Sequence, residues 1–342
     1  MDKIDIKNLS KEELESNLKA IGAEPYRSVQ ITRWLYKIGV RSFDEMTDLP
    51  GELKNNLKSK FHITHLTVSD LKRSPIDGTT KYLFKLEDSN MIETVTLPEK
   101  ARATVCLSSQ VGCKFACSFC ASAHQGFVRN LKSSEILDEV IFARQKSPSG
   151  PITNLVFMGI GEPLDNYDNV LRAIRTFNDK DAFNIGARKI TISTCGIIPG
   201  IVRLKGEGLQ IELSVSLHSA KEDTRSRLVP INKIYPISSL VAACKDYTRA
   251  TNRVITFEYV LIGQVNSSGE DARSLAGLLK GMKCKVNAIS YNRITKNYTK
   301  PSAGVVKTFM RVLKDNGINA MHRRSKGEDI DAGCGQLRIS RL

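Results

Sequence analysis

The sequence predicts an α/β protein in which parallel strands are flanked by helices, either as an open sheet or as a partial barrel. From Ala103 onward, apolar runs such as "TNLVFMGI" and "QIELSVSL" alternate about six times with helical patterns such as "SSEILDEVIFARQ". Strands that alternate with helices form parallel sheets with the helices outside. Ahead of Ala103 the spacing differs, which predicts two further units before the array.

The first of these units, residues 1–63, is predicted to be a small helical accessory domain. Ser10 and Glu13 have the spacing of a capping box, and Gly22 can end the helix that they begin. A second helical pattern, "YRSVQITRWLYKI", runs to Gly39. This unit also contains Lys11, Lys19, Arg27 and Arg33, so we expect it to contribute to RNA binding.

The second unit, residues 64–102, is predicted to be a β-hairpin extension. Its two alternating segments, "TKYLFKLED" and "MIETVTL", are separated by a turn at Ser89 and Asn90. Residues 103–342 then form the parallel array. The chain therefore divides into a helical domain, a hairpin and a main α/β domain.

The composition points to a soluble cytoplasmic protein without a membrane partner. Hydrophobic residues make up 41% of the 342 residues, and no apolar run approaches the length of about 18 residues that a membrane span needs. The start, "MDKIDIKNLSKEELESN", is polar and has no signal-peptide core. In the cytoplasm, eight cysteines indicate metal or redox chemistry rather than structural disulfides.

The charge balance indicates a polyanionic partner. The chain has 51 Lys plus Arg against 36 Asp plus Glu, a formal net charge of +15 and a pI near 9.4. Nucleic acid is the commonest polyanion of the cytoplasm. The alternative is a merely basic surface. The positive residues are dispersed, so we expect them to decorate a folded face, including that of the helical domain.

Three cysteines form the sharpest motif, "CKFACSFC", with Cys113, Cys117 and Cys120 spaced C-x3-C-x2-C. Three thiolates can bind three irons of a [4Fe–4S] cubane, which leaves the fourth iron for a ligand that the protein does not supply. The alternative is a zinc ion completed by a distant histidine or cysteine. No second C-x2-C pair of the kind found in zinc ribbons is present.

Polar residues follow several of the predicted strands. Gly161 and Glu162 end one strand, Ser193 ends the next, and Ser216 and His218 end a third. Ligands of parallel sheets and barrels bind at the carboxyl ends of the strands. Each residue also has a simpler explanation, since a Gly-Pro stretch is often only a turn and a single histidine is often structural.

Taken together, the motifs resemble one known family. C-x3-C-x2-C after the first strand is similar to the radical S-adenosylmethionine (SAM) superfamily. The segments "CLSSQVGCKFACSFCAS", "GFVRNL", "FMGIGEPL", "SLHS", "VPINKIYP" and "DIDAGCGQL" resemble the RlmN/Cfr family of RNA adenine methyltransferases. The resemblance covers most of the chain and implies a partial (β/α)6 barrel with one [4Fe–4S] cluster held by Cys113, Cys117 and Cys120.

The resemblance also implies a cofactor site. SAM would chelate the fourth iron through its amino and carboxylate groups, and two SAM molecules would be consumed in each turnover. The residues that match the family's SAM contacts are Gly161, Glu162, Ser193, Ser216, Leu217, His218 and Asn292.

Three further residues match the family's catalytic groups. The resemblance implies that Cys334 carries the methyl group as S-methylcysteine, that Cys106 resolves the RNA–protein thioether through a transient disulfide with Cys334, and that Glu93 accepts the ring proton. Cys106 is the alternative proton acceptor. By itself a free cysteine is usually a small buried hydrophobe, and alternation alone would leave Glu93 an exposed hairpin carboxylate.

The expected function is therefore radical methylation of carbon 2 of an adenine in 23S rRNA, and of tRNA in some members. One alternative is Cfr-type methylation at carbon 8, although "GEPL" and "HQGFVRNL" look more like RlmN. The other is a non-catalytic iron–sulfur or zinc protein that binds RNA. The resemblance further implies an electron donor such as flavodoxin or ferredoxin, and a monomer.

Overall fold

The computed structural model describes residues 3–146 and 150–337. Its centre is a ten-stranded sheet in which seven adjacent strands run parallel and three continue antiparallel at one edge. The order of the strands is β14-β13-β12-β11-β10-β9-β6-β5-β4-β3. The strands are β1 (Ile4–Asp5), β2 (Phe61–His62), β3 (Thr67–Arg73), β4 (Thr80–Lys85), β5 (Met91–Glu99), β6 (Arg102–Cys106), β7 (Gln110–Gly112), β8 (Phe127–Asn130), β9 (Ile152–Phe157), β10 (Ile190–Thr194), β11 (Glu212–Ser216), β12 (Ile255–Leu261), β13 (Cys284–Ser290) and β14 (Ala320–Arg323).

The six strands that the sequence predicts correspond to β6 and β9 to β13, and they lie in chain order across the sheet. The predicted α/β class, with its parallel array, is confirmed. A seventh parallel strand, β14, was not predicted. Its sequence, "AMHR", has no apolar run, because this edge strand is largely exposed on both faces. This segment forms a strand because it pairs with β13, and its local sequence pattern does not predict a strand.

Helices connect the parallel strands and pack against them. The capping boxes at Ser10 with Glu13 and at Ser268 with Asp271 are both formed, so these helix starts follow from local sequence. The helices are α1 (Lys11–Lys19), α2 (Arg27–Arg33), α3 (Gly51–Lys60), α4 (Ser133–Lys146), α5 (Tyr167–Asn178), α6 (Ile198–Lys205), α7 (Glu222–Leu228), α8 (Ile237–Thr251), α9 (Gly269–Leu279) and α10 (Ala303–Asp315).

The predicted hairpin is part of a larger structure. Its two strands are β4 and β5, but β3 pairs with β4 as well, and β5 pairs with β6. The extension is therefore three-stranded and continuous with the parallel sheet. Strand β3 has no apolar pattern by which it could be predicted, since five of its seven residues are polar or charged and it lies at the exposed edge of the sheet.

The N-terminal helices share their hydrophobic core with the main domain. The Lys7 ammonium is buried and forms an ion pair with Asp138 of α4. Asn8 Oδ1 accepts hydrogen bonds from the Ser133 hydroxyl at 3.0 Å and from the Ser134 backbone N–H at 2.9 Å. Deleting this region would therefore expose apolar and charged groups of α4.

Within residues 3–146 and 150–337, every helix is too short or too polar to span a lipid bilayer.

Candidate active site

The carboxyl ends of the parallel strands open into a cavity of about 160 Å3, which we call the large cavity to distinguish it from a smaller space next to it. A groove of about 420 Å3 between the N-terminal helices and α5 has none of its lining residues at these strand ends. Cysteines of the C-x3-C-x2-C motif reach it from the loop after β6, and polar residues reach it from the ends of β9 to β13. Ten of the residues expected to act at the site line this cavity: Cys113, Cys117, Cys120, Gly161, Glu162, Ser193, Ser216, His218, Asn292 and Cys334.

The cysteine loop is folded by the short antiparallel pair β7–β8. Gly112 has a φ of 74°, and a Cβ atom there would lie 1.8 Å from the carbonyl oxygen of Gly126. The next N–H group, that of Cys113, donates to the same oxygen at 2.8 Å. Glycine at position 112 is therefore required for the close approach that turns the loop toward the cavity.

The chemistry of these thiols fits a metal cluster. Burial raises the pKa of Cys113 to about 12 and raises that of Cys117 well above its usual value. A cation must compensate the charge if these sulfurs are to be thiolates. Among the described residues, no group of three or more His, Cys, Asp or Glu side chains is close enough to share one metal ion. Ligands that bind separate irons of a cubane need not converge in that way.

The stretch after β9 brings a carboxylate into the large cavity. A Cβ atom at Gly161, whose φ is 102°, would lie 2.5 Å from Cβ of Gln110, so the close approach to the loop after β6 demands glycine. Glu162 is buried, and its two carboxylate oxygens accept hydrogen bonds from the N–H groups of Leu164 at 3.0 Å and Cys195 at 2.7 Å. Burial raises the pKa of Glu162, and these hydrogen bonds oppose the shift.

His218 is held in one tautomer. Its Nδ1 accepts a hydrogen bond from the backbone N–H of Val260 at 3.0 Å, and burial together with the charge of Arg225 lowers its pKa to about 3. The ring is therefore neutral with the proton on Nε2, since Nδ1 is the acceptor. Its φ of 57° turns the ring toward Phe119, with the ring centroids 4.6 Å apart.

Leu217 differs from the other expected SAM contacts. Its side chain is fully buried in the main hydrophobic core and does not line the large cavity. Its neighbours Ser216, at the end of β11, and His218, which has a left-handed φ of 57°, do line the cavity. Any contact from position 217 would have to come from its backbone.

Cys106 and Cys334 line a second, smaller space of about 30 Å3, which we call the small cavity. Cys334, Met158 and Ile289 line both cavities, so Cys334 lies where the two spaces meet. All eight cysteines lie in the described part of the chain and all are free thiols. Burial raises the pKa of the Cys106 thiol, and the nearby Cys334 raises it further.

Cys334 is exposed, but the protein atoms around its sulfur still raise its pKa, with Arg323 opposing the shift. Two bonds fasten its loop to the large cavity. The Asn292 side-chain amide donates to the Cys334 carbonyl at 3.1 Å, and the N–H of Ala121 donates to the carbonyl of Gly335 at 2.7 Å. The second bond joins the catalytic-cysteine loop directly to the residue after Cys120.

Glu93 lies on β5 and is buried, so the alternative of an exposed hairpin carboxylate is wrong. One of its oxygens lies 3.1 Å from the ammonium of Lys81 on β4. By strand alternation Glu93 shares a face with Val95 and Leu97, which line the small cavity, although Glu93 itself is not part of either lining.

Two buried charged residues at this site, Glu258 and Arg225, were not among the residues predicted from the sequence. Glu258 of β12 lines the large cavity, and its Oε2 atom is buried without a hydrogen-bond partner in the described structure. Arg225 is completely buried and donates to the carbonyls of Cys195 at 2.8 Å and Ser216 at 3.2 Å, which fastens the ends of β10 and β11. A charge inside an apolar strand, as in "VITFEYVLI", was the available signal for Glu258.

Two family models match the chain. Residues 4–63 match the ribosomal RNA large subunit methyltransferase N-terminal domain, and residues 107–276 match the radical SAM superfamily. A probable dual-specificity RNA methyltransferase RlmN from Thermoanaerobacter sp. (strain X514) is 46% identical over 97% of this chain and 97% of that protein. The chain belongs to the RlmN family of radical SAM RNA methyltransferases. An RlmN protein of Thermotoga maritima is likewise 46% identical over 98% of this chain and 97% of its own length.

A solved structure shows the same fold. The crystal structure of a radical SAM methyltransferase from Sphaerobacter thermophilus superimposes with a TM-score of 0.93 at 42% identity, covering 98% of this chain and 99% of that one. The radical SAM barrel expected from the resemblance is therefore confirmed. As a radical SAM enzyme of the RlmN family, the protein uses a [4Fe–4S] cluster and SAM.

Proposed function

We propose that the protein methylates carbon 2 of an adenine in 23S rRNA and in tRNA, with Cys334 as the methyl carrier. The observation that carries this proposal is the position of Cys334 at the junction of the two cavities. One side faces the three motif cysteines and the polar strand ends, and the other side contains Cys106. A protein that only binds RNA needs no pair of thiols at such a junction.

In this proposal the large cavity holds the cofactors. Cys113, Cys117 and Cys120 bind three irons, and the fourth is left for SAM. Cluster and SAM together supply the one-electron chemistry that makes a methyl carbon reactive toward an electrophilic ring position. Glu162 offers a carboxylate to the SAM ammonium, and neutral His218 offers an Nε2–H donor. Gly161, Ser193, Ser216 and Asn292 complete the polar wall, and Leu217 contributes only backbone.

In this proposal the RNA–protein thioether forms and is cleaved at the small cavity. Cys334 carries the methyl carbon, which would lose a hydrogen atom to the radical that cluster and SAM supply when bound, and which would then bond to carbon 2 of the adenine. Glu93 accepts the proton from carbon 2, and the unpaired electron left on the ring would return to the cluster. Cys106 then attacks the Cys334 sulfur. The S–S bond forms, the bond from sulfur to the methyl carbon breaks, and its electron pair leaves with the carbon, which takes up a proton. A dithiol reductant returns both cysteines to thiols.

The proposal also includes the binding partners of the protein. The chain has a formal net charge of +15 at pH 7, and this excess of positive charge supports an RNA substrate. The proposal further includes a small one-electron donor such as flavodoxin or ferredoxin, a monomeric protein and a cytoplasmic location, where RNA substrates and reductants are available.

Two substitutions test the roles of the cysteines. Cys334→Ala should give neither methylated protein nor an RNA adduct, because no sulfur carries the methyl group. Cys106→Ala should still form the adduct and fail to resolve it, so that a covalent RNA–protein species survives denaturation. Peptide mass spectrometry and denaturing gels measure both. Normal turnover by Cys106→Ala, or a methyl group on Cys106, would contradict the assignment.

The site of methylation is tested by mass spectrometry of nucleosides from cells with and without the gene, using separated rRNA and tRNA. We expect 2-methyladenosine to disappear from both RNA classes. Disappearance of 8-methyladenosine instead would assign the Cfr-type reaction. Unchanged nucleosides would contradict catalysis.

A further inference from the structure

One buried lysine joins two parts of the proposed machinery. Lys81 lies on β4 with its side chain only 8% exposed. Its ammonium lies 3.1 Å from Oε1 of Glu93 and donates to the carbonyl oxygen of Asp331 at 3.1 Å. Asp331 lies three residues before Cys334 in the same loop. The ammonium thus bridges the proton acceptor and the segment that carries the methyl.

The sheet register explains the first contact. Lys81 pairs with Val95, and Glu93 pairs with Leu83, so Lys81 and Glu93 are diagonal neighbours on one face of the antiparallel pair. Long side chains reach each other across such a diagonal. A carboxylate buried as deeply as that of Glu93 needs a compensating charge, and Lys81 supplies one.

The second contact fastens the loop. Asp331 has a left-handed φ of 52°, and its carbonyl oxygen accepts the hydrogen bond from Lys81 of the β-extension. The same loop is held at another point, where the Gly327 N–H donates to the Asp77 carboxylate at 2.8 Å. Lys81 and Asp77 of the antiparallel extension therefore both hold the Cys334 loop, and Lys326 of the loop adds a bond to the Pro98 carbonyl at 2.6 Å. Of these three side chains, Lys81 is the one that forms the ion pair with Glu93.

We propose that Lys81 is a positioning residue that fixes the Glu93 carboxylate relative to the Cys334 loop during removal of the ring proton. In that step the C2–H bond of the RNA adduct breaks, the proton moves to a Glu93 oxygen, and the electron pair stays in the ring. The unpaired electron of the adduct would pass to the cluster that the proposed function supplies. The inference rests on the proposed function, because it assumes that Glu93 accepts this proton. The inference adds Lys81 as the residue that holds the Glu93 carboxylate at a fixed position relative to the adduct on Cys334.

A stability experiment tests the ion pair without reference to activity. Iron-loaded Lys81→Met and Glu93→Gln proteins should each melt roughly 5 to 10 °C below the wild type, because each leaves a buried group without its partner. The melting temperature of the double variant should fall by clearly less than the sum of the two single-variant decreases. Additive shifts would show that the two side chains are not coupled and would overturn the proposal.

An activity experiment tests the positioning role. In Lys81→Met we expect methylation of Cys334 to persist, product formation to fall about 100-fold, and the covalent RNA adduct to accumulate. Lys81→Arg should recover part of the rate because it restores the charge. Asp77→Ala is the matched control, since it loosens the loop without contacting Glu93, and it should accumulate no adduct.

The outcomes separate this inference from the proposed function. Loss of Cys334 methylation to the same degree in Lys81→Met and Asp77→Ala would reduce Lys81 to a loop anchor and overturn the proposal. A Lys81→Met protein that turns over at the wild-type rate would do the same. A wild-type protein that makes no 2-methyladenosine would instead contradict the proposed function, whatever the stability cycle shows.

Discussion

The large and small cavities share Cys334, Met158 and Ile289 but are built from different kinds of chain segment. The large cavity is walled by strand ends and the cysteine loop, where backbone N–H groups bind Glu162 and His218 and Arg225 binds the carbonyl of Cys195. The small cavity is closed by β5, β6 and the loop after β14, which meet only in the folded chain. The walls of the large cavity are therefore held in place by the hydrogen bonds of the sheet. The walls of the small cavity are held by a few side chains that connect segments distant in the chain.

The largest expected effect concerns the large cavity. Cys117→Ala should abolish iron binding and SAM cleavage together, because two thiolates retain a cubane poorly. Cys195→Ala is the matched control, since Cys195 is buried and lines the same cavity outside the motif. Iron analysis and visible absorption measure both. A fully iron-loaded Cys117→Ala protein, or loss of iron from Cys195→Ala, would show that the ligands are assigned wrongly.

The next effect concerns the bridge between the cavities. Asn292→Ala removes the donor to the Cys334 carbonyl and the acceptor for the Ser325 hydroxyl, which lies 2.7 Å from Asn292 Oδ1. Two lost hydrogen bonds should lower the single-turnover rate by about 10- to 100-fold. Ser325→Ala, which removes one of them, should cost about fivefold or less. If Asn292→Ala had the wild-type single-turnover rate and normal iron content, the two cavities would not be coupled through Asn292.

A smaller effect should follow pH in the large cavity. His218 has a pKa of about 3 in the folded protein against an ordinary value of 6.5. Below pH 6.5 the unfolded chain therefore binds a proton that the folded chain does not, and the contribution to the free energy of unfolding falls by up to about 1.4 kcal/mol per pH unit.

The wild-type protein should thus lose about 2 kcal/mol more than His218→Gln between pH 7 and pH 5 in denaturant unfolding. His124→Gln, at an exposed position, serves as the control and should track the wild type. A constant difference between wild type and His218→Gln across this range would show that His218 does not titrate as described.

The smallest effect lies outside both cavities. Lys19 and Arg33 are exposed on the helical domain. If they contact phosphates, Lys19→Glu with Arg33→Glu should weaken RNA binding severalfold and lower the log–log salt slope by about 0.7 to 0.9 per lost contact. Lys245→Glu with Arg249→Glu, both exposed on α8, changes the net charge equally and is the control. Equal slopes in all three proteins would place the RNA surface elsewhere.

The sequence by itself determined the parallel array, the capped helices and the cysteine motif, because each depends on residues close together in the chain. Apolar alternation specifies β6 and β9 to β13, and the S-x-x-E pattern specifies the start of α1. The polar residues at the strand ends could be placed on one edge, since the ends of parallel strands share an edge. Resemblance then supplied the roles of Cys106, Cys334 and Glu93.

Only the tertiary structure decided how those residues meet. The exposed strands β3 and β14 follow from pairing with their neighbours, since polar edge strands have no apolar pattern of their own. The burial of Glu93, its contact with Lys81 and the bond from Lys81 to Asp331 join three distant parts of the chain. Such contacts carry no local signal, because their free energy comes from removing charges from water together, and this happens only when the sheet and the C-terminal loop have closed around them.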